Sequence, residues 1–246
     1  MLSNDQIDRY RSQINLKQIN IQGQIKLKNT KVLVIGAGGI GSPTTLFLSR
    51  CGILKFGIID DDKISKSNLH RQILFDLKDI GKKKVYVSKK KILQIDKKIQ
   101  VKIFKLRVNK FNLKSIVKDY DYIVDGTDNF KAKLNINDIC LKFKKKLFIG
   151  SVSQFDGHIF FFDFSKKGPC LRCFMPSAPK ISPRCQDEGI LGTVTGTVGT
   201  IIANELIKNV VGIKSHLTNE VLIINFENLL FRKVKITRST KCNKHE

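Results

Sequence analysis

Between Asp60 and Lys84 the chain gathers side chains that suit a polyphosphate. Asp60, Asp61 and Asp62 are consecutive, Asn68, Arg71 and Gln72 follow, and the run Lys82 to Lys84 closes the stretch. Arginine offers phosphate oxygens a planar fork and lysine a point charge. A nicotinamide dinucleotide has little use for such a concentration, whereas a nucleoside triphosphate such as ATP does. Upstream lies Gly36-Ala37-Gly38-Gly39-Ile40-Gly41, a G-x-G-x-x-G. In such a turn Gly36 permits the tight bend, Gly38 lets phosphate approach the backbone, and Gly41 allows close packing of helix on strand. Asp60 follows at a separation suited to ribose hydroxyls. Downstream, Gly126-Thr127-Asp128-Asn129 ends another apolar run. Asp128 there suits magnesium, which prefers one or two carboxylates plus phosphate oxygens. The same residue types also cap helices, so both roles are expected, divided among these residues.

A second chemistry is written in sulfur and nitrogen. Cys170 and Cys173 form a C-x-x-C, and Cys242 and His245 a C-x-x-H close to the chain end. Together they supply the four-ligand set that zinc prefers, which would pin the tail to the body; the alternative is a tail whose Cys and His do nothing. Cys185 sits beside Arg184 in a stretch marked by Pro176, Pro179 and Pro183. A neighbouring cation favours the thiolate, so a reactive thiol and an inert exposed one are both open there. Cys51 and Cys140 fall in predicted helices and read as small core residues.

Defined elements must hold these groups. Lys31 to Ile35 is an apolar, β-branched run with the length of a buried parallel strand. A helix to Arg50 and a second strand from Phe56 to Ile59 complete a strand–turn–helix–strand unit. The helix N-terminus adds free N–H groups for phosphate. In a doubly wound sheet the ligand crevice lies beyond the carboxyl ends of the strands. Asp60 to Lys84 and Gly126 to Asn129 therefore share one crevice. A lysine-rich helix is expected over residues 82–97, with Val85, Ile92 and Ile95 inward, and further strands over 101–104, 121–125, 147–151 and 157–164. Residues 190–211 read as a helix with Gly192, Gly196 and Gly199 on roughly one face, and 220–226 and 229–236 as a closing antiparallel pair. The fold class is α/β: a Rossmann-like, doubly wound, mostly parallel sheet extended by antiparallel strands, with a zinc knuckle. Residues 1–246 read as one domain, with a helical arm over 1–30 broken at Gly23, a nucleotide-binding part over 31–150, and antiparallel strands, crossover loop and zinc site over 151–246.

Composition narrows the classes. No segment has the ~20 apolar residues of a membrane span, and the polar N-terminus is no signal peptide. Six cysteines, two of them in the close pair Cys170/Cys173 and one in the C-x-x-H, without an export signal suit metal or catalytic use in a reducing, cytoplasmic setting. The formal net charge is +24, which points toward an acidic partner or ATP. The basic runs carry no interleaved aromatic platform for bases, so nucleic acid is not the expected partner. Lysine outnumbers arginine 36 to 9, and Lys, Ile and Asn share A/T-rich codons, so base composition accounts for part of the charge.

Taken together, the G-A-G-G-I-G turn, the D-x-D…S-x-S-N-L-x-R-Q-I-L-F segment, G-T-D-N, C-x-x-C, the C-x-x-E/D-x-G-x-x-G region and the terminal knuckle resemble the ThiF/MoeB/HesA family. These are bacterial relatives of ubiquitin-activating enzymes, and the resemblance runs from Arg9 to His245. It implies an adenylyltransferase that uses ATP to activate the C-terminal glycine of a ubiquitin-like sulfur carrier as an acyl-adenylate, releasing pyrophosphate. It implies that Gly36, Gly38, Gly39 and Gly41 lie beneath ATP, that Asp60 and Asp62 flank the ribose side, and that Asn68, Arg71, Gln72 and Lys84 contact the phosphates. Asp128, beside Asn129, would bind magnesium, and Cys170, Cys173, Cys242 and His245 would bind zinc. Cys185 matches the loop cysteine that joins the carrier covalently in the thiamine branch. The resemblance further implies a homodimer and, as a further partner, a sulfurtransferase or cysteine desulfurase.

Two departures stand out. The family commonly reads R-Y-x-R-Q near its start, its second arginine reaching the ATP of the partner subunit. Here Ser12 holds that place and Arg11 precedes it, a rotation of about 100° on a helix. The last zinc ligand is usually Cys and is His245 here, which zinc accepts. The stretch Ile58 to Lys63 with Ser67 to Phe75 looks closer to the thiamine branch (carrier ThiS) than to the molybdopterin branch (carrier MoaD). Alternatives are the tRNA-dehydratase branch, an NAD-dependent oxidoreductase, which leaves Arg71, Lys84 and Asp128 unexplained, and a non-catalytic carrier-binding scaffold.

Overall fold

The computed structural model describes residues 1–179 and 189–245. Its frame is one eight-stranded sheet. In chain order the strands are β1 (Lys31–Ile35), β2 (Lys55–Ile59), β3 (Gln100–Phe104), β4 (Tyr122–Asp125), β5 (Lys146–Ser153), β6 (Asp156–Asp163), β7 (Glu220–Asn225) and β8 (Leu230–Lys235). They lie in the order β3-β2-β1-β4-β5-β6-β7-β8. The first five are parallel, and β6, β7 and β8 add antiparallel. The expected mixed sheet is thus present, and its order reverses between β1 and β4, where such sheets bind ligands.

Helices cover both faces, as buried parallel strands require. They are α1 (Asn4–Arg9), α2 (Arg11–Ile14), α3 (Asn20–Asn29), α4 (Gly41–Arg50), α5 (Lys84–Ile95), α6 (Lys110–Val117), α7 (Phe130–Lys142), α8 (Leu171–Phe174) and α9 (Gly192–Val211). One core layer joins Val32, Val34, Phe56, Ile58, Val124, Phe148 and Phe161 to α3, α4, α5 and α9. The other joins Leu33, Ile35, Ile123, Leu147, Ile149 and Phe162 to α6, α7 and α8. Alternate residues of each strand feed opposite layers, the period of two that a strand imposes.

Three expectations need correction. The arm is three short helices, and Gly23 lies inside α3 rather than breaking it. A Cβ at Gly23 would stand 3.2 Å from Val211, so the glycine lets α3 pack against the end of α9. Ile95 is only partly buried, while Val85 and Ile92 are fully inward. Finally, of the three glycines assigned to one packing face of α9, Gly196 meets nothing within 4 Å, whereas a Cβ at Gly192 would overlap the His70 carbonyl and one at Gly199 would approach the Ile40 carbonyl at 2.5 Å.

Candidate functional site

The glycine turn joins β1 to α4 at the switch point. Gly36 has φ +91°, and a Cβ there would come 2.9 Å from the Gly126 carbonyl oxygen. A Cβ on Gly41 would overlap the Gly36 carbonyl oxygen. Gly38 is different: a Cβ there would meet only the Gln72 side chain, at 3.8 Å. Its open face is where a phosphate can approach. Gly39 packs toward α9, its Cβ direction meeting Thr195 at 3.0 Å. Gly41→Ala is therefore expected to destabilise the fold by about 3 kcal/mol through overpacking, while Gly38→Ala should fold normally and weaken ATP binding. Equal denaturant midpoints for Gly41→Ala and wild type would refute this assignment.

Asp60 begins where β2 ends. Its carboxylate accepts the Ala37 N–H at 2.8 Å and the Asp62 N–H at 2.9 Å, which ties the acid to the glycine turn. Burial pushes its carboxyl up from the usual range, against the pull of Lys84 and these two donors. Lys84 is 5 % exposed and donates to Asp62 at 2.8 Å. A buried ammonium is thus paired with an exposed carboxylate at the carboxyl end of β2.

Asn68 and Gln72 are buried in the connecting segment, and the Arg71 and Gln72 N–H groups both donate to the Asn68 carbonyl. The Arg71 guanidinium meets the Ser67 carbonyl at 3.1 Å and the His70 ring at 3.2 Å, and has no carboxylate partner among the described residues. Gln72 Oε1 is buried without a hydrogen-bond partner among the described residues. An orphaned acceptor beside the open face of Gly38 fits a site that takes a polar ligand.

The polar cluster after β4 divides its roles. Asn129 accepts the Ala132 N–H at 2.8 Å as the N-cap of α7. Asp128 is exposed, with no ion pair or hydrogen bond among the described residues, which leaves its carboxylate free for a cation. Asp125, last in β4, is a group that the sequence reading missed. It is fully buried, accepts from the Thr127 N–H at 2.9 Å and hydroxyl at 2.7 Å, and lies 3.7 Å from the Lys133 ammonium. Lys133, also buried, donates to the Gly150 carbonyl at 2.7 Å. The pair straps the carboxyl ends of β4 and β5 beneath the crevice. An acid ending an apolar run was its one visible signal; the lysine partner comes from a helix turn that only folding brings near.

The arm does not bring Arg11 into its own chain's crevice. Arg11 pairs with Asp8 at 2.7 Å, and Arg9 donates to the Ile95 carbonyl at 3.0 Å. The Arg9 contact holds the arm at the connection leading into β3, the amino-terminal edge of the strands.

The four zinc-type ligands converge although they are far apart in sequence. The ligand atoms of Cys170, Cys173, Cys242 and His245 lie within 4.8 Å of one another. The Cys170 and Cys242 sulfurs are 3.9 Å apart, close to the ~3.8 Å edge of a tetrahedron with zinc–sulfur bonds near 2.3 Å. Cys173 Sγ and His245 Nε2 are 3.0 Å apart. Burial pushes the Cys170 thiol well up, so a thiolate there needs a cation beside it. The residues thus fit a zinc ion. Bonds next to the cluster fasten it to α7: Asn137 accepts the Leu171 N–H at 2.9 Å, and Asp138 holds Arg172 at 2.7 and 2.9 Å. Cys185 lies outside the described residues. Cys140 is fully buried, as expected, and Cys51 is half-buried at the end of α4. Among the described residues no helix is long and apolar enough to cross a membrane.

Comparison with known proteins fits this geometry. The model of the ThiF family matches residues 10–244. A protein of Porphyra purpurea named a probable molybdopterin-synthase adenylyltransferase is 40% identical over 235 residues, 94% of this chain and 61% of that protein. The sulfur carrier protein adenylyltransferase of Thermus thermophilus is 33% identical over 244 residues, 97% of this chain and 90% of that protein. The adenylyltransferase and sulfurtransferase MOCS3 of Drosophila grimshawi is 37% identical over 246 residues, 99% of this chain but 55% of that protein. The chain thus spans little more than half the length of some of these relatives. Among solved structures, that of E. coli MccB with MccA-N7isoASN superposes with a TM-score of 0.86 over 99% of this chain and 75% of that one, at 23% identity, a likeness of fold.

Proposed function

Since the chain belongs to the ThiF family, we propose that it is an ATP-dependent adenylyltransferase for a ubiquitin-like sulfur-carrier protein. The carrier's C-terminal glycine carboxylate attacks the α-phosphorus of ATP. The bond to the bridging oxygen breaks, pyrophosphate leaves, and the carrier departs as an acyl-adenylate. The observation that carries this reading is the arrangement around the glycine turn. An open Gly38 face, the Asp60 carboxylate tied to the glycine turn, an arginine without a carboxylate partner among the described residues and a buried lysine all follow the carboxyl ends of β1 and β2. Such a reaction needs alignment and charge neutralisation more than a strong base. Asp60 orients the ribose, Arg71 and Lys84 hold the phosphates, and Gln72 and Asn68 supply neutral polar contacts. Asp128 would hold magnesium, which neutralises phosphate charge when bound. Cys170, Cys173, Cys242 and His245 would hold zinc, a structural cation that fixes the tail.

The chain acts as a homodimer in this reading, with Arg11 of one copy offered to the nucleotide of the other. The carrier is of the ThiS or the MoaD type. The sequence from Ile58 to Lys63 and from Ser67 to Phe75 favours ThiS, and the names of the relatives favour MoaD. Carrier-dependent ATP–pyrophosphate exchange, with purified ThiS and MoaD tested separately, decides between them. Exchange with one carrier is expected; exchange with neither, despite ATP binding, would overturn the adenylation reading. Asp128→Ala is expected to abolish exchange at limiting magnesium with no loss of thermal stability, because the carboxylate is exposed and unpartnered among the described residues. Wild-type exchange in that variant would remove Asp128 from the metal site.

A further inference from the structure

The opposite edge of the parallel strands holds a second cluster of cations that the crevice does not use. Lys31, Lys55 and Gln100 are the first residues of β1, β2 and β3, and they stand side by side in register. Lys102 lies two residues along β3 and so on the same face as Gln100. These residues, with Lys89 of α5, line a cavity of about 540 Å³. None of the four lysines has an ion pair or hydrogen bond from its ammonium among the described residues; that of Lys102 rests 5.3 Å from the Phe104 ring. A single acid, Asp119, shares the lining. The strand from Lys55 to Ile59 separates this edge from Asp60 by roughly 13 Å at the usual rise per residue. The cavity is therefore not part of the nucleotide crevice.

Tyr120 supplies an independent observation. It lines the cavity, is 5 % exposed, and its hydroxyl has no hydrogen-bond partner among the described residues. Gly57 of β2 makes room for it: a Cβ there would overlap the phenol oxygen. The ring is buried, but the hydroxyl oxygen is not among the fully enclosed unpartnered atoms, so it opens onto the cavity it lines. Here the hydroxyl is a donor in a lining of four lysines and one acid, Asp119. Concave sites lined by one sign of charge focus the field and concentrate counter-ions.

We propose that the cavity bounded by Lys31, Lys55, Lys89, Lys102 and Tyr120 is a second anion site, which takes a multiply charged phosphate anion. The lysines provide point charges and the Tyr120 hydroxyl a directional donor to one phosphate oxygen. Part of the net charge of +24 is then assigned to a ligand rather than to solvated faces.

The test is isothermal titration of inorganic triphosphate, without magnesium, into the full chain carrying Arg71→Ala, which weakens the crevice as a competing site. Binding at about one anion per chain is expected. Adding Lys55→Gln and Lys102→Gln is expected to weaken it at least ~10-fold, and adding Tyr120→Phe by about 10-fold, the loss of a hydrogen bond to a charged group. A control pair, Lys90→Gln with Lys97→Gln, should leave it unchanged. In the chain without Arg71→Ala, the Lys55→Gln/Lys102→Gln pair should leave carrier-dependent exchange unchanged, so the two sites fail or stand separately. Unaltered triphosphate binding in Lys55→Gln/Lys102→Gln, or an equal loss in the control pair, would overturn the proposal. Melting temperatures equal to the parent's show that each variant is folded, and Tyr120→Phe keeps the ring that packs on β2.

Discussion

Arg71→Ala is expected to lower carrier-dependent ATP–pyrophosphate exchange by about 10²- to 10³-fold, the usual effect of removing one preorganised donor from developing charge. The fold should be untouched. The guanidinium makes its contacts to the Ser67 carbonyl and the neighbouring His70 ring, not to a buried carboxylate. Removing it therefore leaves no buried charge behind. The backbone of the segment is fixed independently, by the Arg71 and Gln72 N–H groups on the Asn68 carbonyl and by α9, whose Gly192 lies against the His70 carbonyl. A surface change of this kind usually alters stability by no more than ~0.5 kcal/mol. Arg71→Lys should recover part of the rate, because lysine restores the charge but not the planar fork. Single-turnover formation of the adenylate and a melting curve on the same preparation check both halves. Near-normal exchange in Arg71→Ala sinks the assigned role, and so does a rate loss accompanied by an equal loss of fold.

The second large effect is expected at the cysteine cluster. Purified protein should carry about one zinc per chain, as one four-ligand site requires, and Cys170→Ser should carry none. A ligand present at 1,000 times its dissociation constant adds about 4 kcal/mol to the folded state. For a domain of this size that corresponds to a fall of about 8–16 °C in melting temperature when the site is lost. The tail has little else to hold it: residues after Ile236 are mostly exposed, and apart from the cluster the Arg238 guanidinium on the His245 carbonyl is a contact within the tail itself. Chelation of wild type should reproduce the Cys170→Ser melting temperature, and the variant should not respond to chelator. Metal-free wild type with an unchanged melting temperature under chelation would reduce the converging ligands to coincidence. His245→Cys, which restores a thiolate at the fourth position, should bind zinc at least as well as the native histidine.

Much of this protein is determined locally and could be read along the chain. The turn from Gly36 to Gly41 is legible because its chemistry depends on missing side chains at fixed spacing, and the Gly36 φ and the crowding at Gly41 agree with it. Asp60 follows from the length of one strand–helix–strand unit. The alternation of core residues along β1, β2 and β4 follows from the two-residue period of a strand. The mixed character of the sheet followed from strands that succeed one another without helices.

What tertiary structure alone decided are partnerships across the chain. Asp125 and Lys133 meet because β4 and α7 return over the same strand end, and a buried ion pair leaves no periodic trace. The split between Asp128 and Asn129 was open in the sequence because both residues can cap a helix; the backbone gave the cap to Asn129. Glycine weakens helices, which makes Gly23 look like a break, yet the closeness of Val211 requires a glycine inside α3. The glycines of α9 looked like one packing face, but two of them lock the glycine turn and the Arg71 segment while Gly196 meets nothing. Local rules fix which residues can bend, cap or alternate. Which charge faces which, and which glycine yields to which neighbour, is set only when distant segments compete for the same volume.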